Sequence, residues 1–163
     1  MNDRLLRRSI RKSAREALRY ALIAIVFVAG PLWTVNAQAQ ITDTQVAAFV
    51  EALRLSAPNT GIKNDGLFSD WKIKEDNIVR WSKRCTGTVM TPAEFEANTQ
   101  KAREIIGCIM GKILREQYEI SRVESIAIRR AASWWMTGDP AQYDSPQAKI
   151  YTEKVLSFYK KAP

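Results

Sequence analysis

Apolar residues recur every three to four positions through most of the chain after residue 40, which is the spacing of one face of an α-helix. Polar and charged residues fill the opposite faces, and turn-forming residues separate the periodic segments. We therefore predict an all-α fold, a single small bundle of about five helices. The apolar positions of the five segments are Val46, Phe49, Val50 and Leu53; Ile78, Trp81 and Cys85; Ala102, Ile105, Ile106, Ile109, Ile113 and Leu114; Val123, Ala127, Ala131 and Trp134; and Tyr151, Val155, Leu156 and Tyr159.

Start and stop signals bound the predicted helices. In a capping box, a hydroxyl side chain and a glutamate or glutamine three residues later each satisfy a free backbone N–H group. Three such patterns predict helix starts, and the pair Ser145-Pro146 predicts the start of the last helix. Gly138 predicts a helix end. The three capping boxes are Thr42 with Gln45, Thr91 with Glu94, and Ser121 with Glu124.

Two segments fit more than one interpretation. Residues Leu67 to Ile73 alternate loosely between apolar and polar, which fits either a connector or a short strand. Gly107 and Gly111 lie on one face of the longest predicted helix, about Thr99 to Glu119, although each glycine costs about 1 kcal/mol relative to alanine. Either a close helix contact requires these glycines or the helix tolerates them.

The N-terminal pattern is of another kind. A basic stretch, Met1 to Arg19, runs into an apolar stretch, Ala21 to Trp33, and then into small residues ending at Ala39. This order is typical of a cleaved export signal. The apolar run of about 13 residues is short for a membrane-spanning helix, which needs about 20. We therefore predict a signal peptide at residues 1–39 and expect no stable membrane anchor after cleavage; an uncleaved anchor is the alternative.

The leader leaves the cleavage site and the export route open. Cleavage after Ala39 gives a mature helical domain at residues 40–163, and cleavage after Ala37 also fits the small-residue rule. The segment Arg7 to Lys12 resembles a twin-arginine export motif, which would carry an already folded chain; the general secretory route is the alternative. Both routes predict a periplasmic or other extracytoplasmic location.

The strong positive charge belongs to the leader. The whole chain carries a formal charge of +8, but residues 1–39 hold seven of the 25 basic and two of the 17 acidic residues, which leaves +3 for residues 40–163. A basic chain often binds nucleic acid. Because the basic block is discarded, we expect no nucleic-acid partner.

The two cysteines of the chain, Cys85 and Cys108, are predicted to form a disulfide. An oxidising extracytoplasmic compartment favours joining two such residues. Their closure of a loop of about two dozen residues stabilises a fold by roughly 3 to 4 kcal/mol in the chain-entropy model. The alternative is that both are small buried apolar residues.

The chain has no histidine, which narrows the chemistry that it can perform. Histidine is the most frequent general base, and it is a common ligand of zinc and haem. Serine or cysteine nucleophiles activated by histidine are therefore excluded. We also find no calcium loop, no phosphate-binding glycine loop and no C-x-x-C pair, so we expect no metal and no cofactor.

Tryptophans form the best candidate ligand surface, because aromatic side chains next to polar groups are common in ligand recognition. The alternative is that they fill the core. Trp134 and Trp135 point about 100° apart on a helix, so we expect at least one to be partly exposed or packed under the loop of residues 138–143. The tryptophans of the mature chain are Trp71, Trp81, Trp134 and Trp135.

Arg129 and Arg130 lie one turn before the tryptophan pair. A guanidinium beside an aromatic face can bind carboxylate or phosphate, so the predicted ligand-binding residues are Trp134, Trp135, Arg129 and Arg130. The alternative is that both arginines are solvated or paired with a nearby carboxylate.

Glu116 and Glu119, beside Tyr118, are the candidate catalytic pair, in which a glutamate would act as a general acid on a glycosidic bond. Glutamates at this spacing are also ordinary on a solvated helix face, and we assign no catalytic residue. The predicted function is a binding or interaction module whose partner is a protein or a small extracytoplasmic ligand. The alternatives are a carboxylate-dependent, cell-wall glycan-cleaving enzyme and a structural subunit of an extracytoplasmic complex.

Overall fold

Six α-helices and one small β-hairpin make up the part of the chain that the structure, a computed structural model, describes: residues 40–62 and 65–162. The predicted leader at residues 1–39 lies outside this part. The chain is mostly helical, as predicted. In chain order the elements are α1 (Asp43–Ser56), β1 (Leu67–Phe68), β2 (Ile73–Lys74), α2 (Glu75–Thr86), α3 (Pro92–Ala97), α4 (Thr99–Ser121), α5 (Glu124–Thr137), a 3-10 helix (Pro140–Asp144) and α6 (Lys149–Tyr159).

Two of the three predicted capping boxes are confirmed. Thr42 caps α1 and Thr91 caps α3, and in each case the hydroxyl accepts from the backbone of the residue three positions on, whose own side chain accepts from the cap. The Thr91 signal opens a short helix of its own, so the described residues contain six helices where the apolar pattern predicted about five. Gly138 ends α5 in the left-handed conformation, with φ 81°, as predicted.

The third predicted capping box, at Ser121 and Glu124, is wrong. Ser121 is the last residue of α4, and Val123 caps α5 without a side-chain hydrogen bond. Arg122 adopts the left-handed conformation between the two helices, and its N–H donates to the carbonyl of Tyr118 at 2.8 Å. The Ser121 hydroxyl bonds to the backbone of Val123. It therefore stabilises the α4–α5 turn and caps neither helix.

The predicted start of the last helix at Ser145 is four residues too early. Ser145 opens a turn, in which its hydroxyl accepts from the N–H of Ala148 at 3.2 Å. The 3-10 helix before it was not predicted, although Asp139 caps it by accepting from the N–H of Ala141 at 2.8 Å. Helix α6 begins only at Lys149, because the side chain and backbone of Ser145 form a turn with Ala148 instead of a helix start.

The segment from Leu67 to Ile73 resolves into a short antiparallel hairpin. Leu67 pairs with Lys74 and Phe68 pairs with Ile73. The turn between them holds two residues with positive φ, Ser69 at 62° and Lys72 at 55°. Lys72 and Lys74, the basic residues of this hairpin, lie directly before the start of α2.

Helix α4 lies at the centre of the described unit and packs against α1, α2, α3 and α5. Its fully buried side chains include Ile105, Ile106, Met110 and Leu114. Gly111 meets α1 closely, because a Cβ there would lie 3.1 Å from a Val46 methyl carbon, whereas a Cβ on Gly107 would meet nothing within 4 Å. A close contact thus explains one predicted glycine, and the other is merely tolerated.

The predicted disulfide between Cys85 and Cys108 is confirmed. It joins the last turn of α2 to the middle of α4, with 6.2 Å between the Cα atoms. Among the described residues, no helix is both long and apolar enough to cross a membrane.

Candidate ligand-binding pocket

Trp81 of α2 contacts both tryptophans at the end of α5. Its ring stacks on that of Trp134, with centroids 6.4 Å apart and 25° between the planes, and it lies 5.7 Å from the ring of Trp135 at a tilt of 38°. Trp134 and Trp135 are both partly exposed, in agreement with the expectation that at least one would be. Although they leave the helix in different directions, Trp81 lies within reach of both rings.

The three rings form part of the wall of a pocket of about 510 Å³. This volume lies within the range of small-molecule sites, roughly 300 to 1,000 Å³. The pocket collects residues from α1, the hairpin, α2, α5 and α6. Its lining residues are Ser56, Pro58, Leu67, Trp71, Lys72, Ile73, Lys74, Asn77, Arg80, Trp81, Trp134, Trp135, Met136, Gly138 and Tyr151.

Trp71 serves the core as well as the pocket. It is 1% exposed, and its indole N–H donates to the carbonyl of Val50 at 2.8 Å. The alternative interpretation of the tryptophans as core residues therefore holds for Trp71. It holds for Trp81 as well, which is 7% exposed, whereas Trp134 and Trp135 are partly exposed and pack against the core.

The ionisable side chains along the pocket are of one sign. Lys72 and Lys74 come from the hairpin and Arg80 from α2, and no carboxylate stands among the described lining residues. Lys72 pairs with Asp65 at 3.5 Å, and Arg80 donates to the side-chain oxygen of Asn77. A ligand in this pocket therefore meets aromatic surface and positive charge together.

Two hydroxyl-bearing residues complete the pocket. Ser56, at the end of α1, is 3% exposed, and its hydroxyl has no hydrogen-bond partner within the described residues. Burial raises the pKa of Tyr151 above its ordinary value, so this phenol stays neutral at physiological pH. Both side chains can therefore offer hydrogen bonds without adding charge.

Arg129 and Arg130, which the sequence predicted as ligand-binding residues, do not line this pocket. Arg129 donates to Asp144 at 2.6 Å, and its guanidinium lies 5.0 Å from the centre of the Tyr143 ring. Arg130 donates to Gln117 at 2.8 Å and lies 5.8 Å from the same ring. The structure thus divides the four predicted residues into a tryptophan pair at the pocket and an arginine pair that holds the 3-10 helix.

Glu116 and Glu119 lie on an exposed face of α4, each with about half of its side chain accessible. Glu116 pairs with Lys112 at 3.6 Å and Glu119 pairs with Arg122 at 2.7 Å. Neither lines the tryptophan pocket. The described residues also hold no group of three or more acidic or cysteine side chains placed to bind a metal ion.

Sequence reasoning missed Ser56, Lys72, Lys74 and Arg80 as pocket residues. The signal that could have found part of the set is the cluster of lysines beside Trp71, directly before the helix that carries Trp81.

The chain matches no protein family model, no curated protein and no solved structure.

Proposed function

We propose that this protein is an exported binding module, which acts in an extracytoplasmic compartment by holding a ligand against Trp81, Trp134 and Trp135. The observation that carries the proposal is the pocket of about 510 Å³ in which these rings meet. Stacked or edge-on aromatic contacts contribute about 0.5 to 1.5 kcal/mol each beyond the area that they bury. The partly exposed rings of Trp134 and Trp135, packed on the buried Trp81, therefore favour a planar or apolar ligand group.

Two features support the exported location. The order of basic, apolar and small residues in residues 1–39 is that of an export signal. The disulfide between Cys85 and Cys108 fits an oxidising compartment, because cytoplasmic thiols are kept reduced. We propose a mature chain that begins at Gln40, or at Gln38 if the peptidase cuts after Ala37.

Cell fractionation followed by mass measurement of the purified chain tests this location. We expect the protein outside the cytoplasm, with the mass of a chain that starts at Gln40 or Gln38. Replacing Arg7 and Arg8 by lysine should block export only if the twin-arginine route is used. A full-length chain found in the cytoplasm would remove the export part of the proposal.

Binding can be tested with phenylnaphthylamine, an uncharged aromatic probe whose fluorescence rises in an apolar site. We expect saturable binding at one site of the purified protein. Trp135→Ala should weaken it about tenfold or more, since the loss of one stacked ring and its buried area exceeds roughly 1.4 kcal/mol. Ile150→Ala is the matched control, because Ile150 is 81% exposed and does not line the pocket. Binding that is absent, or equally weak in both variants, would refute the proposed site.

A further inference from the structure

We infer that the ligand of this pocket is an anion: a planar aromatic or apolar group that carries a carboxylate, sulfonate or phosphate. The inference rests on the proposed function and adds the charge of the ligand to it. Lys72, Lys74 and Arg80 bring positive charge to the pocket, and its described lining residues include no carboxylate. A site with low-dielectric walls and charge of one sign concentrates the field on an oppositely charged ligand.

The rest of the protein does not share the purely positive charge of this pocket. Residues 40–163 carry a formal charge of only +3. Three other cavities of the described chain each combine acidic and basic side chains, so their charges largely cancel. Their ionisable lining residues are Asp43, Arg103, Glu104 and Arg115; Arg54, Asp70, Lys72 and Glu96; and Asp65, Lys72 and Glu96.

The cations of the tryptophan pocket differ in how strongly other groups already engage them. Lys72 is paired with Asp65. Lys74 and Arg80, in contrast, form no ion pair with any carboxylate of the described residues. An anion can therefore bind next to them without displacing a protein carboxylate. Lys74 and Arg80 are thus the side chains that we expect to contact the anionic group.

The end of α1 adds a second, independent observation. The Ser56 hydroxyl is buried at the pocket without a partner in the described residues, which is unfavourable unless a bound group supplies the missing hydrogen bond. An anionic oxygen of the ligand would supply the hydrogen bond that the hydroxyl lacks.

A pair of probes with the same aromatic scaffold separates charge from shape. Anilinonaphthalene sulfonate carries one negative charge, and phenylnaphthylamine lacks the sulfonate. We expect the purified protein to bind the sulfonate about tenfold more tightly at low salt. Raising the ionic strength to about 1 M, where the Debye length is about 3 Å, should reduce that preference.

Substitutions of Lys74 and Arg80 test whether these side chains cause the tighter binding of the sulfonate probe. Lys74→Gln and Arg80→Gln should each weaken sulfonate binding about threefold to tenfold and leave phenylnaphthylamine binding unchanged. Lys112→Gln is the matched control, because Lys112 is exposed on α4 and lies outside the pocket. An equal loss in all three variants would mean that net charge, and not this pocket, attracts the probe, and would overturn the inference.

The outcomes also separate this inference from the proposed function. Equal affinity for both probes, with both weakened by Trp135→Ala, would overturn the anion specificity and leave the pocket in place. Sulfonate binding that is insensitive to Trp135→Ala would place the anion elsewhere and overturn the inference. If neither probe binds, the proposed function falls together with it.

Discussion

Gly111 of α4 faces Val46 of α1 so closely that a Cβ on the glycine would lie 3.1 Å from the Val46 Cγ1 carbon. The same Cβ would lie 3.1 Å from an Arg115 nitrogen, whose flexible side chain can move away. Val46 is branched at Cβ and 7% exposed, so it has little freedom to yield. The spacing of α1 and α4 therefore depends on the absence of a side chain at Gly111.

The two glycines of α4 should respond oppositely to the same substitution. Gly107→Ala should raise the free energy of unfolding by about 0.5 to 1 kcal/mol, because the helix gains propensity and the methyl group enters open space. Gly111→Ala should lose that gain to the contact with Val46 and lower the free energy of unfolding. Urea denaturation of both variants measures the difference.

A Val46→Ala background provides the control for the Gly111 contact. Removal of the valine methyl groups should make Gly111→Ala less harmful, which a double-mutant cycle detects as coupling between the two positions. Equal stability changes at Gly107 and Gly111 would contradict a close α1–α4 contact.

The disulfide should make a large contribution to the stability of a domain of this size. Cys85 and Cys108 are 23 positions apart, and a loop of that length contributes roughly 3 to 4 kcal/mol in the chain-entropy model. Replacing both cysteines by serine should lower the free energy of unfolding in urea by about that amount. A variant as stable as the native protein would show that the bond constrains nothing in the unfolded chain.

Glu51 couples α1 to α4 and makes stability depend on pH in the acid range. It accepts hydrogen bonds from Arg54 at 2.6 Å and from Arg103 of α4 at 2.8 Å. The hydrogen bond from Arg54, followed by the one from Arg103, holds the pKa of Glu51 below its ordinary value, although burial opposes the shift. Because the folded state favours the ionised form, the contribution is present above the ordinary glutamate pKa of about 4.3 and is lost as the pH falls through the lowered value.

Glu51→Gln tests this dependence. The variant should be less stable by about 0.5 to 1 kcal/mol at neutral pH, and the difference from the native protein should shrink as the pH falls below about 4. Glu96→Gln is the control, since Glu96 is exposed on α3 and forms no ion pair with the described residues. A difference that stays constant down to low pH would show that Glu51 acts through packing and not through its charge.

Arg129 should stabilise the protein without contacting a ligand in the pocket. Its bonds to Asp144 and to the Tyr143 carbonyl, together with the ring contact, hold the 3-10 helix against α5. Arg129→Ala should lower the free energy of unfolding by about 1 to 2 kcal/mol, and Arg129→Lys should restore only part of it, because an ammonium group cannot reproduce the planar contact. Phenylnaphthylamine binding should be unchanged in both variants. Lost binding at unchanged stability would instead support the ligand-binding role predicted from the sequence.

Local patterns predicted much of this fold. The hydroxyls of Thr42 and Thr91 cap helices because their partners lie only three residues away, and such interactions can be read directly from the chain. The capping box predicted at Ser121 is an equally local pattern, but there the prediction was wrong. The Ser121 hydroxyl found backbone partners in the tight α4–α5 turn, and the competition between a cap and a turn is decided by tertiary packing.

The pocket was only half predictable. Trp134 and Trp135 stand out in the sequence, but their meeting with Trp81 depends on how α2 and α5 both pack against α4. Lys74 reaches the pocket because the hairpin folds back before α2, which no helical period encodes. Ser56 belongs to it because α1 ends there.

The most direct test of the account is the set of chemical-shift changes in the backbone and indole N–H signals when the protein is titrated with anilinonaphthalene sulfonate. We predict that the largest changes occur at Trp81, Trp134 and Trp135, with further changes at Lys74 and Arg80. Changes concentrated instead at the cavity lined by Asp43, Arg103, Glu104 and Arg115, or around Arg129, would contradict the assignment of the tryptophan pocket as an anion-binding site.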